Sequence, residues 1–366
     1  MKARQVLMKG NEALAEGALA AGCRCFFGYP ITPQNEIPEY MSRRMPEVGG
    51  VFVQSESEVA AVNMVFGASA CGARAMTSSS SPGISLKQEG ISYLAGAELP
   101  AVIINVQRGG PGLGNISASQ ADYFQATKGG GHGDYRLLVY APSTVQEAYD
   151  LAIKAFEKAD QYRNPVMLLC DGVLGQMMEP LTLGTPKLKT FEKPWALTGC
   201  AGRAPNVVKS LFMGEGELEA RNFMLKKKYD RMKARETMHE GYMLEGAELV
   251  VTAFGTSARI AKAAVKAARE KGMKVGLLRP VTLFPFPDRP FREAAVKSKK
   301  FLVVEMNLGQ MVEDVRLAVE GRRPVEFYGR PGGGVPTPGE LLKVIQKALL
   351  QKKSGGAATR KAAGGR

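Results

Sequence analysis

The sequence predicts an α/β protein built on a doubly wound parallel sheet, followed by a second, smaller α/β unit. Three observations carry that expectation. Apolar strand-like runs alternate with helix-length segments from Cys23 to Asp171, as βαβ units do. Ala101 to Val106 is almost wholly apolar, the mark of a strand buried on both faces. The alternation stops over 180–240 and resumes near Leu249.

In order, 6–22 reads as a helix, with Leu7, Leu14, Ala18 and Leu19 tending to one face. A strand follows over 23–27, a stiff loop over 28–33, and a helix from about Asn35 to Met45. In the loop Gly28-Tyr29-Pro30-Ile31-Thr32-Pro33, the two prolines fix their own φ and restrict the residues before them. Thr32 is therefore presented in a set direction. Val51 to Gln54 reads as a strand and 58–70 as a helix, with Glu58 in its first turn, where the macrodipole favours a carboxylate. The small residues Ala60, Ala61, Gly67, Ala68 and Ala70 suit close packing of that helix. Arg74 to Thr77 is a short strand, and the polar loop Ser78 to Gly83 opens a helix near Ile84. That loop suits either an anion or a plain helix cap. The strand over 101–106 ends at Gln107-Arg108-Gly109-Gly110-Pro111-Gly112, which puts Arg108 at a strand end on a glycine loop. A further glycine loop spans 129–133. Leu137 to Tyr140, a helix over 145–160 and Val166 to Asp171 complete the first unit. The proline-rich stretch from 180 and a charged helix over 215–237 read as a linker that packs outward. The second unit has strands at 249–254, 274–278 and 301–305, each followed by a helix.

Composition excludes several classes. The chain has 366 residues and a formal net charge of +14. No apolar run of 18 residues exists and Gly10-Asn11-Glu12 interrupts any signal-peptide core, so no membrane span and a cytoplasmic protein are expected. The cysteines Cys23, Cys25, Cys71, Cys170 and Cys200 make no CxxC pair. Zinc and iron–sulfur sites of the usual spacing are not expected, and Cys23 and Cys25 read as small apolar residues on one strand face. The basic cluster Lys226, Lys227, Lys228, Arg231, Lys233 and Arg235 and the basic tail lack interleaved aromatics beyond Tyr229. They read as a solvated helix face and a disordered tail rather than a nucleic-acid interface.

The runs Gly28 to Pro33, Gln54 to Gly67 and Gln107 to Gly112 resemble the α subunit of a 2-oxoacid:ferredoxin oxidoreductase. Gly129 to Tyr135 and Gly276 to Pro285 resemble its branched-chain (3-methyl-2-oxobutanoate) member. The resemblance covers about residues 5–345. It implies a pyrimidine-binding domain for thiamine diphosphate (ThDP) over 1–180, a linker with the charged helix over 181–243, and a transketolase C-terminal-like domain over 244–348. A disordered basic tail over 349–366 would follow.

The resemblance also assigns chemistry. ThDP needs a shielded carboxylic acid at N1′ of its aminopyrimidine ring. Glu56 and Glu58 are both placed for this. The family places Gly nine residues after the acid, which Glu58 and Gly67 satisfy. Thr32 and Arg108 match the residues that bind the 2-oxoacid, with Arg108 able to grip a carboxylate bidentately. A surface salt bridge is the plainer role for Arg108. Tyr29 and Pro30 are expected beside the cofactor; His132 reads more readily as a loop residue. Glu305, Met306, Asn307, Gly309 and Gln310 lie at a strand end, where CoA, a subunit contact or a simple turn would each fit. No Gly-Asp-Gly motif exists. The resemblance therefore implies a β subunit that holds the diphosphate and Mg²⁺, a [4Fe–4S] cluster in partner subunits, γ and ferredoxin-like δ subunits, and ferredoxin as acceptor. The implied reaction takes a 2-oxoacid, CoA and oxidised ferredoxin to acyl-CoA, CO₂ and reduced ferredoxin. 2-Oxoglutarate and pyruvate stay open as substrates, and a basic nucleic-acid-binding protein is the reading from another class.

Overall fold

The structure, a computed structural model, describes residues 4–350. The first half runs β1 (Arg4–Lys9), α1 (Gly10–Ala20), β2 (Cys25–Gly28), α2 (Glu36–Glu47), β3 (Val51–Gln54), α3 (Glu58–Ala70), β4 (Ala75–Ser79), α4 (Ser81–Gly96) and β5 (Ala101–Gln107). After a π-helical turn at Gln125–Gly129 come β6 (Leu138–Tyr140), α5 (Val145–Tyr162), β7 (Pro165–Asp171), α6 (Gly172–Gln176) and β8 (Met178–Leu183). The rest is α7 (Glu217–Arg235), β9 (His239–Tyr242), β10 (Leu249–Thr252), α8 (Gly255–Glu270), β11 (Val275–Pro280), β12 (Thr282–Phe284), α9 (Asp288–Lys297), β13 (Lys300–Glu305), α10 (Met311–Val319), β14 (Val325–Gly329) and α11 (Pro338–Leu350). The basic tail expected over 349–366 lies outside the described residues, apart from Leu349 and Leu350, which finish α11.

The main sheet has seven strands in the order β12-β6-β7-β5-β4-β2-β3. Every neighbouring pair is parallel except β12 with β6. All residues of β4, β5 and β7 are buried, as a sheet covered on both faces requires. A second sheet has the order β14-β13-β10-β11-β9, with only β9 antiparallel.

Four sequence expectations change. Residues 6–9 are a strand, not the start of a helix: β1 pairs antiparallel with β8, and Leu7, at 65% exposed, faces away from the core that takes Leu14, Ala18 and Leu19. The helix starts only at Gly10, because Lys9 N–H is capped by Glu12. The run Gly276 to Pro285 divides between sheets. Its first part is β11, and Thr282 then crosses to pair with Tyr140 at the edge of the main sheet. The basic helix α7 is not a fully solvated face. Lys228 is buried, with Nζ 3.3 Å from Glu98 Oε1 and donating to Arg163 O at 3.1 Å. Cys23 is fully buried and lies before β2, whereas Cys25 is half-buried within it.

The two sheets are locked by a buried arginine. Arg279 of β11 is 3% exposed and reaches Glu147 of α5 through Nη2 at 2.6 Å and Nη1 at 2.9 Å. It also meets Glu240 of β9. Burial pushes the Glu147 carboxyl up, but the Arg279 and Ser143 hydrogen bonds outweigh it and hold the pKa below the ordinary value. Arg279→Met is expected to cost about 2 kcal/mol in denaturant unfolding, less than a fully buried pair because both glutamates reach solvent. The loss is present above the ordinary glutamate range and disappears as pH falls through the lowered Glu147 value.

Candidate active site

The carboxyl ends of β2, β3, β4 and β5 all open on one edge of the main sheet. The loop after β2 carries Thr32, the loop after β3 leads to Glu58, β4 runs into Ser80 and α4, and β5 ends at Arg108. Open α/β sheets keep their ligand sites at this edge.

Glu58 and Glu56 are told apart by burial. Glu56 is exposed, whereas Glu58 is 6% exposed at the first residue of α3. Ser57 caps that helix, its Oγ accepting from Ala60 N at 3.2 Å. The close packing expected from the small residues of α3 arises differently. Gly67 is exposed, and nothing lies within 4 Å of where its Cβ would be. The tight approach belongs to α4. A Cβ on Gly83 would lie 2.7 Å from Glu58 Oε1 and 2.1 Å from Ser79 Oγ, and one on Gly90 would lie 2.4 Å from Val62.

The Thr32 loop is stiff for reasons beyond its prolines. Asn11 Nδ2 donates to Pro33 O at 2.8 Å, and the fully buried Gln34 ties the loop to β4 by accepting from Ser78 Oγ at 2.5 Å. Thr32 Oγ1 accepts from Asn35 Nδ2 at 3.4 Å. Tyr29 and Pro30 stand exposed on the outside of the loop.

Arg108 is 8% exposed, not a surface ion pair. Its Nη1 donates to Thr32 O and its Nη2 to Leu113 O, both at 3.1 Å. Nε has no partner. The guanidinium is thus braced by two backbone carbonyls and keeps donors free for an anion. Thr32 and Arg108, 76 residues apart, are brought into direct contact.

Sequence reading missed the network behind Arg108. Ser81 Oγ accepts from Arg108 N at 3.0 Å and donates to Asp122 Oδ2 at 2.6 Å. Asn105 Nδ2 donates to the same carboxylate oxygen at 2.9 Å. Burial raises the Asp122 pKa, against the Ser81 and Asn105 hydrogen bonds. The one sequence signal was the Ser78–Gly83 loop, whose last hydroxyls prove to do more than cap α4. His132 is exposed, its carbonyl accepting from Ser92 Oγ at 2.7 Å. Glu305 is buried and its carboxylate accepts from the N–H groups of Met311 and Val312, fastening the start of α10. Asn307 and Met306 donate to Gln120.

Beside Thr32 lies an open cleft of about 870 Å³. It is lined by Thr32, Pro33, Ile116, Ser117, Ala118, Gly172, Val173, Gln176, Met177, Gly333 and Val335.

Residues 16–243 match the family described as pyruvate flavodoxin/ferredoxin oxidoreductase, thiamine diphosphate-binding, and 247–341 match pyruvate:ferredoxin oxidoreductase core domain II. The chain belongs to the 2-oxoacid:ferredoxin oxidoreductase family. It is 54% identical over 344 residues to the ketoisovalerate oxidoreductase subunit VorB of Methanothermobacter marburgensis, covering 93% of this chain and 97% of that one. It is 38% identical over 380 residues to the 2-oxoglutarate synthase subunit KorA of Methanothermobacter thermautotrophicus, covering 94% and 98%. Among solved structures, the 2-oxoglutarate:ferredoxin oxidoreductase of Magnetococcus marinus superposes with a TM-score of 0.84 at 27% identity. The match covers 94% of this chain and 65% of that one, and that structure holds 2-oxoglutarate, coenzyme A and succinyl-CoA. A split-gene transketolase shares the fold, with a TM-score of 0.58 at 14% identity over 93% of this chain and 98% of that one.

The residues present fit the aminopyrimidine half of the family's cofactor. A shielded carboxylate stands against a glycine cradle, and the Ser79 hydroxyl at the same glycine is buried without a partner. Gly83→Ala is expected to displace Glu58 and to lower turnover of the assembled oxidoreductase by ~10²-fold, the scale of a 1 Å misplacement. Gly67→Ala, into open space, is expected to leave turnover unchanged and to stabilise α3 by about 0.5–1 kcal/mol. Steady-state rates and thermal melts of the two variants check both.

Proposed function

We propose that this chain is the α subunit of a ThDP-dependent 2-oxoacid:ferredoxin oxidoreductase that acts on a branched-chain 2-oxoacid. The observation that carries the substrate class is the lining of the cleft beside Thr32. It holds Ile116, Val173, Met177 and Val335 and no lysine or arginine. A branched aliphatic side chain suits such a wall. The second carboxylate of 2-oxoglutarate would find no cationic partner on that wall. The higher identity to ketoisovalerate oxidoreductase subunits than to 2-oxoglutarate synthase subunits points the same way.

The residues divide the work. Arg108, with its free Nε, binds the substrate carboxylate, and the Thr32 hydroxyl supports it. Glu58 would hold the cofactor at N1′ of its aminopyrimidine, with Tyr29 and Pro30 beside the ring. The cofactor, when bound, supplies the carbon nucleophile that attacks the ketone. Its diphosphate and Mg²⁺ are assigned to a β subunit, because this sequence has no Gly-Asp-Gly motif. A [4Fe–4S] cluster, and γ and δ subunits that pass electrons to ferredoxin, complete the assembly, and CoA takes the acyl group. No helix among the described residues is long and apolar enough to cross a membrane.

The test is anaerobic purification of the coexpressed complex and CoA-dependent viologen reduction against a panel of 2-oxoacids. 3-Methyl-2-oxobutanoate is expected to lead, and a lead for 2-oxoglutarate overturns the substrate class. Glu58→Gln is expected to lower kcat by ~10²–10⁴-fold, the range for losing a positioned proton donor. Arg108→Met is expected to raise KM for the 2-oxoacid by ~10–100-fold, as fits the loss of a charged hydrogen bond.

A further inference from the structure

The second unit reaches the cleft beside Thr32 through one short strap, residues 331–337, between β14 and α11. The strap is closed at its base. Arg330 N–H donates to Glu305 O at 3.1 Å, and Arg330 Nη1 meets Glu340 Oε1 of α11 at 2.6 Å. At the other end Thr337 Oγ1 accepts from Glu340 N at 3.2 Å, and Pro336 beside it is buried. The tip rests on the loop that follows Arg108. Asn115 Nδ2 donates to Gly332 O at 3.0 Å, and a Cβ on Gly333 would lie 2.5 Å from Ser117 Cβ. Gly333 also has a φ of +94°, a conformation that disfavours any side chain. Asn115 is fixed in its own loop, its N–H donating to Gly109 O and its Oδ1 accepting from Ser117 N, both at 3.0 Å.

These contacts seat Val335 in the same cleft as Thr32. Gly333 and Val335 are the cleft's two lining residues from the second unit, and of these only Val335 has a side chain. A valine has one branched, stiff side chain, so the wall it makes is firm. Ile116, on the Arg108 loop, is 64% exposed and turns mostly to solvent, whereas Val335 is half-buried. Val173 and Met177 belong to the first unit, where Asp171 Oδ1 accepts from Val173 N at 3.1 Å and fixes the start of α6. The second unit therefore adds one apolar group to a cleft whose remaining walls come from the first.

We propose that Val335 is a specificity-determining residue, through which the strap of the second unit sets the size and polarity of the 2-oxoacid side chain the site accepts. The inference rests on the reading of the cleft as the substrate's, given above. Arg108 and Thr32 grip a carboxylate that every 2-oxoacid carries, so they cannot choose among side chains. The choice falls to the groups that line the cleft. One methylene against an apolar wall is worth about 10–200-fold, and a cation on that wall would give a second carboxylate a partner.

The test compares kcat/KM values of the assembled complex for 3-methyl-2-oxobutanoate, 4-methyl-2-oxopentanoate and 2-oxoglutarate. Val335→Ala is expected to shift the ratio of the first two by ~10-fold toward the longer acid. Gly333→Ala, which lifts the strap off Ser117, is expected to shift it the same way. Val335→Arg is expected to raise the ratio of 2-oxoglutarate to 3-methyl-2-oxobutanoate by ~10–100-fold, the scale of a charged hydrogen bond. Size-exclusion chromatography and thermal melts report whether each variant assembles, and Val335→Ala decides the matter where the arginine variant does not. A valine that only packs predicts a lower melting temperature with the ratios unmoved, and that result overturns the proposal. A parent complex led by 2-oxoglutarate removes the branched-chain reading and the proposal with it. A parent led by 3-methyl-2-oxobutanoate, with ratios unmoved in the Val335 variants, removes only the role given to Val335.

Discussion

The site depends on how closely α4 can approach α3. Gly83 and Gly90 leave no side chain between the two helices, so Glu58 and Val62 press directly on the α4 backbone. This contact shields the carboxylate from water and fixes its direction. It also decides which of two neighbouring glutamates is in the site: two positions along the chain separate an exposed Glu56 from a buried Glu58. A carboxyl in that environment interacts more strongly with any nearby charge than one in water does. The helix packing therefore sets the electrostatics as well as the shape.

The second sheet supports the other half of the site. Arg108 sits at the start of a long loop, and such loops are mobile unless they are tied down. Here Gln120 is the tie. It donates to Phe254 O at 2.8 Å, accepts from Ser257 Oγ at 2.7 Å, and exchanges backbone and side-chain bonds with Met306 and Asn307. Asp171, at the end of β7, accepts from Thr256 Oγ1 at 2.7 Å. These bonds join the ends of β10 and β13 to the loop that carries the Arg108–Asp122 network. The strand-end residues of the second unit thus brace the loop that follows Arg108.

Most of the parallel sheet was legible in the sequence because buried parallel strands are written as continuous apolar runs. Ala101 to Val106 and Val166 to Asp171 could hardly be anything else. Edge elements were not legible. β1, β9, β12 and β14 are short, half-exposed or split, so their pattern competes with helix and loop; Val6 and Met8 fit either period. The contact partners of the site were out of reach for a different reason. Thr32 and Arg108 were each visible on a stiff or glycine-rich loop, but their direct hydrogen bond spans 76 residues, and no local pattern encodes it. Gly67 shows the opposite error. Its spacing from Glu58 correctly marked the family, yet its lack of a side chain serves no packing in this chain.

Unpaired polar atoms mark where the protein's own hydrogen bonding stops. Buried donors and acceptors without partners cost about 1–3 kcal/mol each, and native proteins keep few of them. Several here are scattered, such as Thr252 Oγ1 and Ser298 Oγ. Three others, Ser79 Oγ, Ser80 Oγ and Gln88 Nε2, lie on or immediately before α4, and Arg108 Nε lies at the end of the neighbouring β5. Gln88 and Arg108 are held by their other polar atoms, Gln88 Oε1 accepting from Tyr135 OH at 3.1 Å and the Arg108 Nη atoms donating to Thr32 O and Leu113 O. A fold that satisfies its core polar groups elsewhere, as with Gln34, Asn105 and Gln107, keeps such vacancies at a cost. The cost would be offset by any ligand whose polar groups complement these atoms.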